Sequence, residues 1–214
     1  MEDNSCSGDC LKCHNEIPGL LLDIEAVKFD FENLFTFASG IKSPMYIDNR
    51  ISLSYYGVRQ LIRERFIRTI MRYFPEVNCI AGVATGAISQ ATSIADRMQL
   101  PLIYVRSQSK SHGTKNLVEG VIQPHAQVVV IEDTFSTGSS VFRAVEEIQK
   151  KERSVEVLAI VNLFNYGFYR GEPPVPVSNL VTFTDIIDTA LKYEHIDKDE
   201  YNKLIDWHYE NLIQ

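Results

Sequence analysis

Apolar positions along this chain follow two alternating rhythms. Between Ser54 and Phe74, Val58, Ile62, Phe66, Ile70 and Phe74 recur every four residues, and Leu61 and Met71 widen the stripe. This spacing predicts a helix with one buried face, ended by Pro75. Short apolar runs then take over. Cys79 to Val83 reads as a strand, Ala84 to Gly86 as a small-residue turn, and Ile88, Ala91, Ala95 and Met98 as the inner face of a helix. LPLIYVR supplies another strand, and the polar stretch 107–120 after it is longer than an ordinary connection. Val128 to Ile131 is an unbroken apolar run, the pattern of a strand covered on both faces. A helix follows over Ser140–Lys151, with Val141, Val145 and Ile148 inward, and VEVLAIVNLF is the next strand. Strands alternating with helices imply an α/β fold: a mostly parallel central sheet, right-handed crossovers and flanking helices.

The two ends read differently. After Pro18 and Gly19, LLLDIEAVKF fits an amphipathic helix with Ile24 and Val27 on its apolar face. Phe35 to Arg50, broken by Gly40 and Pro44, reads as a loop. Beyond the proline-rich GEPPVPV, VTFT is an edge-strand candidate, and Thr184 is the expected cap of a helix through Tyr193. Asp197 and Glu200 have capping-box spacing for a final helix containing Leu204, Trp207 and Leu212. The expected organisation is a polar tail over 1–18 and a single domain over 19–214. Within that domain, 19–52 forms a hood, 53–172 the α/β core, and 173–214 a C-terminal strand and helices.

Composition narrows the function. With 214 residues, 45% hydrophobic and 23% charged, the chain suits one well-buried globular domain. A net charge of -7 argues against a general nucleic-acid binder. The start MEDNSCSGD lacks the basic and apolar regions of a signal peptide, and no apolar run approaches the roughly 20 residues that span a bilayer. A soluble, cytoplasmic protein without nucleic-acid or membrane partners is expected. Cys79 lies in an apolar run, where a reduced thiol behaves as a small hydrophobe. Cys6, Cys10, Cys13 and His14 form C-x3-C-x2-C-H, which contains the CxxCH of haem attachment and has ligand types for zinc or an iron–sulfur cluster. Haem attachment normally follows export, for which no signal is visible. A metal site and a metal-free polar tail both remain open, and the tail is the reading adopted.

The richest chemistry lies in VVVIEDTFSTGSS, Val128 to Ser140. Glu132 and Asp133 fall at the C-terminal end of a predicted strand, the edge at which open α/β sheets bind ligands. Ser136, Thr137, Gly138, Ser139 and Ser140 let backbone N–H groups approach a phosphate, and the positive end of the next helix faces the same spot. A polar turn with an acidic pair can also simply cap a helix. A Walker loop would need a lysine after Gly138, and none follows.

This string resembles the phosphoribosyl diphosphate (PRPP) signature of type I phosphoribosyltransferases. Three further segments resemble the orotate-using members of that family. SGIKSPMY looks like their N-terminal substrate segment, GVATGAI like their pyrophosphate turn, and RSQSKSHG like their mobile catalytic loop. The resemblance implies PRPP contacts from Thr85, Gly86, Arg106, Lys110 and His112, and from Glu132, Asp133, Thr134, Phe135, Ser136, Thr137, Gly138, Ser139 and Ser140. It makes Lys110, Asp133 and Glu132 the catalytic candidates, and it places orotate near Ser136, Tyr46, Ile47, Lys42 and Asn165. The implied reaction joins orotate to PRPP, giving orotidine 5′-monophosphate and pyrophosphate in pyrimidine synthesis. A homodimer with a shared site is implied, because the loop usually reaches the neighbouring subunit. Mg²⁺ is expected to enter with the diphosphate, with no direct protein ligand assigned.

The loop chemistry is sound on general grounds. Loss of pyrophosphate leaves a cationic sugar and a departing anion, so fixed cations and a closing lid lower the barrier and exclude water. The chain departs from the family pattern at three places. Ala38 stands where the orotate enzymes commonly have lysine, Ser107 where a second basic residue follows the arginine, and Asn165 near a usual arginine. Ala38 and Asn165 leave open a transferase for another base, and a PRPP-sensing regulator on the same fold is a separate alternative. The regulator would need a partner surface, yet no helix-turn-helix or basic tail is apparent.

Overall fold

The computed structural model describes residues 16–37, 40–107 and 117–212. Helix α1 (Glu16–Asp23) precedes four short strands, β1 (Val27–Phe29), β2 (Phe35–Thr36), β3 (Lys42–Ser43) and β4 (Met45–Ile47). β1 pairs antiparallel with β4, and β2 with β3, so the hood is two small ribbons. A 3₁₀ helix (Asn49–Ser54) leads into α2 (Tyr56–Tyr73). The core then runs β5 (Cys79–Val83), α3 (Ala87–Met98), β6 (Leu102–Val105), β7 (Val118–Glu119), β8 (Gln127–Phe135), α4 (Ser139–Lys151) and β9 (Glu156–Asn165). β10 (Val177–Thr182), α5 (Phe183–Lys192) and α6 (Lys198–Glu210) complete the chain.

Six strands form one sheet in the order β10-β9-β8-β5-β6-β7, parallel except for β7. The pleat alternates side chains between two layers. Val129 and Ile131 of β8 join the larger core with Ile62, Phe66 and Ile70 of α2, while Val128 and Val130 join the other with Val141, Val145 and Ile148 of α4. Each fully buried side chain of this size contributes about 1.5–3 kcal/mol of transfer free energy. The expected α/β architecture is therefore present. Cys79 is a free, buried thiol, and burial pushes its pKa up to about 11. Among the described residues, no helix is long and apolar enough to cross a membrane.

Local details differ from expectation. α1 begins before Pro18, which sits in the first turn, where a missing N–H costs no helical bond. The expected tail boundary at residue 18 thus falls inside a helix, and Val27 belongs to β1 rather than to that helix. The Phe35–Arg50 loop is instead ribbon, strand and 3₁₀ turn. β7 lies within the stretch read as a polar connection, where its residues pair with Tyr104 and Val105. Thr182, not Thr184, caps α5: its hydroxyl accepts from Asp185 N, and the Asp185 carboxylate accepts from Thr182 N. Met71 is 57% exposed and stands off the buried stripe. The Asp197–Glu200 capping box forms as its spacing predicts.

Candidate active site

The same pleat separates the two adjacent acids of β8. Glu132 continues the Val128–Val130 series toward α4, where Ser140 Oγ donates to its Oε2 at 3.3 Å. It is 4% exposed, and its Oε1 accepts from Asp133 N at 3.1 Å. Burial, reinforced by the neighbouring Asp133 carboxyl group, raises its pKa well above the ordinary 4.5 and favours the neutral acid. Asp133 faces the other way, onto the turn that opens α3. A Cβ added to Gly86 would stand 1.9 Å from Asp133 Oδ2, so glycine here leaves the room in which the Asp133 carboxylate rests against the turn.

A second residue locks this tip. Asn49, 2% exposed at the start of the 3₁₀ helix, donates through Nδ2 to Asp133 O at 2.7 Å and Thr134 Oγ1 at 3.0 Å. Its Oδ1 is buried without a hydrogen-bond partner among the described residues. The hood is thereby tied directly to the end of the central strand.

Around these residues opens a cleft of about 660 Å³. Thr85, Gly86, Asp133 and Thr134 form its floor, and Ser136, Thr137, Ser139 and Ser140 form one end. At that end Gly138 has φ +79, and an added Cβ would meet the Phe142 ring at 2.4 Å. Gly138 is also the N-cap of α4 and offers no side chain to its first N–H groups, which suits an anionic oxygen there. Another part of the lining is aromatic. Tyr46, Phe37 and Tyr166 line it, with Tyr166 stacked on Phe168 at 5.1 Å and tilted against Phe37 at 5.2 Å. Burial pushes the Tyr166 phenol up, keeping it neutral. Arg50 is the only basic side chain lining the cleft among the described residues. Its Nε meets Asp48 Oδ1 at 2.7 Å and its Nη2 meets Oδ2 at 2.8 Å, which holds the Asp48 carboxylate below its usual range.

The expected residues divide into those the cleft gathers and those it does not. Thr85, Gly86, Asp133, Thr134, Ser136, Thr137, Ser139, Ser140, Tyr46 and Ile47 line it. Glu132 lies beneath the lining, Gly138 shapes the turn, and Phe135 turns into the core against Phe142 and Tyr169. Arg106 stands 3.6 Å from Glu119 and lines an adjoining cavity of about 320 Å³ that shares Ser139 and Ser140 with the cleft. Lys42 is an exposed ribbon residue outside the lining. Asn165 is likewise outside it, because its amide donates to Asn179 Oδ1 at 3.0 Å and accepts from Gly167 N at 2.7 Å. Lys110, His112, Ala38, Cys6, Cys10, Cys13 and His14 lie outside the described residues.

Sequence reading missed Asn49, Arg50, Phe37 and Tyr166. Tyr166 had a usable signal, since it directly follows Asn165 at the carboxyl end of a core strand, where ligands bind. Asn49 had none, because its partners are more than eighty positions away.

Among the described residues, no group of three or more His, Cys, Asp or Glu side chains is arranged to hold a metal ion. Glu132 is buried beneath Ser140, and Asp133 is the acid of β8 that lines the cleft. With Asp48 held by Arg50, the Asp133 carboxylate fits a Mg²⁺ ion that would be carried mainly by a ligand's phosphate oxygens and water.

Known proteins agree with this geometry. Residues 53–199 match the family described as "Phosphoribosyl transferase domain". The orotate phosphoribosyltransferase of Halalkalibacterium halodurans is 42% identical over 192 residues, covering 87% of this chain and 90% of its own. That of Staphylococcus aureus is 42% identical over 197 residues, covering 90% and 96%. The crystal structure of orotate phosphoribosyltransferase from Aeropyrum pernix superposes with a TM-score of 0.72 at 27% identity, over 83% of this chain and 98% of that one. A parallel sheet with an acid at its carboxyl edge, a glycine-shaped polar turn and these matches lead to one conclusion: the chain belongs to the phosphoribosyltransferase family.

Proposed function

We propose that the protein is an orotate phosphoribosyltransferase, transferring the 5-phosphoribosyl group of PRPP to orotate with release of pyrophosphate. The observation that carries this reading is that one cleft is lined by Asp133, the open start of α4 and an aromatic wall. The 5′-phosphate sits at Ser136 to Ser140, where backbone N–H groups and hydroxyls donate to it. Asp133 takes the ribose hydroxyls and stabilises positive charge at the sugar. Thr85 and Gly86 offer backbone donors to the pyrophosphate, and Arg106, Lys110 and His112 supply cations as it leaves. Orotate lies against Tyr46, Ile47 and Tyr166. Arg50 meets its carboxylate, compensating for the cations replaced by Ala38 and Asn165. Orotate arrives as a dianion, so positioning and charge stabilisation dominate over proton transfer. Asp133 is the residue that would help hold Mg²⁺ brought in with the phosphates, and the ion would screen the diphosphate charge. The reading includes a cytoplasmic homodimer in which the Lys110 loop serves the neighbouring site.

Asn165, engaged by Asn179, favours one second reading: a transferase for another base. Protein, Mg²⁺ and PRPP mixed with orotate, uracil and purine bases in turn separate the readings by nucleotide formation. Turnover with orotate alone is expected; turnover only with a purine would sink the orotate assignment, and PRPP binding without turnover would indicate a regulator. Mixing Lys110→Ala with Asp133→Ala subunits should restore part of the activity. No recovery under verified subunit exchange would count against the shared site.

A further inference from the structure

The C-terminal helix α6 does not line the cleft among the described residues, yet it grips both walls of the aromatic end. Trp207 Nε1 donates to the Lys42 carbonyl at 2.7 Å. That bond fixes β3, whose ribbon partner β2 brings Thr36 to the cleft, with Phe37 next to it. One residue further on, His208 Nε2 lies 2.5 Å from the Tyr166 carbonyl. A carbonyl only accepts, so Nε2 carries the proton. The imidazole lies flat on Phe183, at 4.4 Å and 8°, and Trp207 meets Phe168 edge-on at 5.4 Å. Phe168 in turn stacks on Tyr166. Neighbouring helical residues point in different directions, so this pair reaches two wall segments far apart in the chain and sets the distance between them.

We infer that Trp207 and His208 are positioning residues for the base: they hold the hood ribbon and Tyr166 at the spacing that admits orotate, without touching it. The inference rests on the transferase reading above. Its signature is selective, because among the described residues α6 contributes nothing to the phosphate turn or to the floor beside Asp133.

Trp207→Phe and His208→Phe each remove one N–H donor while keeping an aromatic ring. Each should raise the KM for orotate about five-fold, the effect of one lost hydrogen bond, and leave the KM for PRPP within about two-fold. His208→Gln places an amide donor at similar reach and should recover most of the loss. Melting temperatures show that the variants fold. Equal rises in both KM values, no rise in either, or failure of His208→Gln to outperform His208→Phe would overturn the inference. If the wild type uses a different base, the orotate reading fails and the same split is read on that base. Should it turn over no base, the emission of Trp207, the chain's single tryptophan, replaces kinetics. Emission that responds to orotate but not to PRPP supports the clamp, and any other pattern refutes it.

Discussion

The two ends of the cleft are built on opposite plans. The polar end comes from one uninterrupted run, in which β8, its turn and the start of α4 present Asp133, Thr134, Ser136, Thr137, Ser139 and Ser140 in order. The aromatic end is assembled from the hood, the residue after β9 and, behind them, the C-terminal helix. A site made by consecutive residues is fixed once its strand and helix form. One made by distant segments depends on every contact between them, so its geometry can drift while the first stays intact.

The largest test of this contrast is Gly86→Ala. The new methyl would collide with the Asp133 carboxylate, and misplacement of about 1 Å at a reacting group can cost about 100-fold in rate. A fall of that order in kcat/KM for PRPP, with an unchanged circular dichroism spectrum, is expected; near-wild-type activity would show that the tip of β8 is looser than its packing. Gly57→Ala serves as the control, since nothing lies within 4 Å of the added carbon, and it should be silent in the same assay.

Asn49→Ala probes the tie between the hood and the tip of β8. Losing both of its hydrogen bonds from a buried position should cost about 1–3 kcal/mol in urea unfolding and raise the KM for PRPP. An effect confined to orotate would place Asn49 with the aromatic end instead.

Glu132→Gln tests the buried acid through pH. The folded pKa of Glu132 lies above its unfolded value, so the unfolded chain releases this proton first. Stability should therefore be full below about pH 4 and decline as pH rises toward the folded pKa. The amide cannot ionise, so Glu132→Gln should flatten that decline in melting temperature across the same window. A variant that melts lower than wild type at pH 8 would contradict the assignment.

Arg50→Ala should have the smallest effect on stability. Its side chain is 60% exposed, and surface pairs of this kind contribute about 0–1 kcal/mol. Its value is diagnostic: a rise in KM for orotate assigns Arg50 to the base, and a rise only for PRPP assigns it to the diphosphate.

This contrast also explains what was legible in the sequence. The stripe of α2, the strand–turn–helix run of β8 and α4, and the Asp197–Glu200 capping box each depend on neighbours in the chain, so pattern alone located them. β7 was hidden because two residues carry no periodicity and acquire their structure from β6. Thr182 and Thr184 are equally good caps by type, and the extension of β10 to residue 182 decides between them. Lys42 and Asn165 are expected near the base only from their positions in resembling segments. Their surroundings turn one to solvent and engage the other with Asn179, contacts that no local pattern reports.

The split orientation of Glu132 and Asp133 bears finally on how a polyanion approaches a chain whose formal charge is already -7. Two adjacent acids in the sequence would suggest a doubly repulsive threshold for a triply phosphorylated sugar. The pleat turns one of them inward, where burial favours its neutral form, so of this pair only Asp133 lines the cleft that an incoming substrate meets. Half of the apparent repulsion is thus folded away, and association with PRPP should depend less on ionic strength than the written sequence implies.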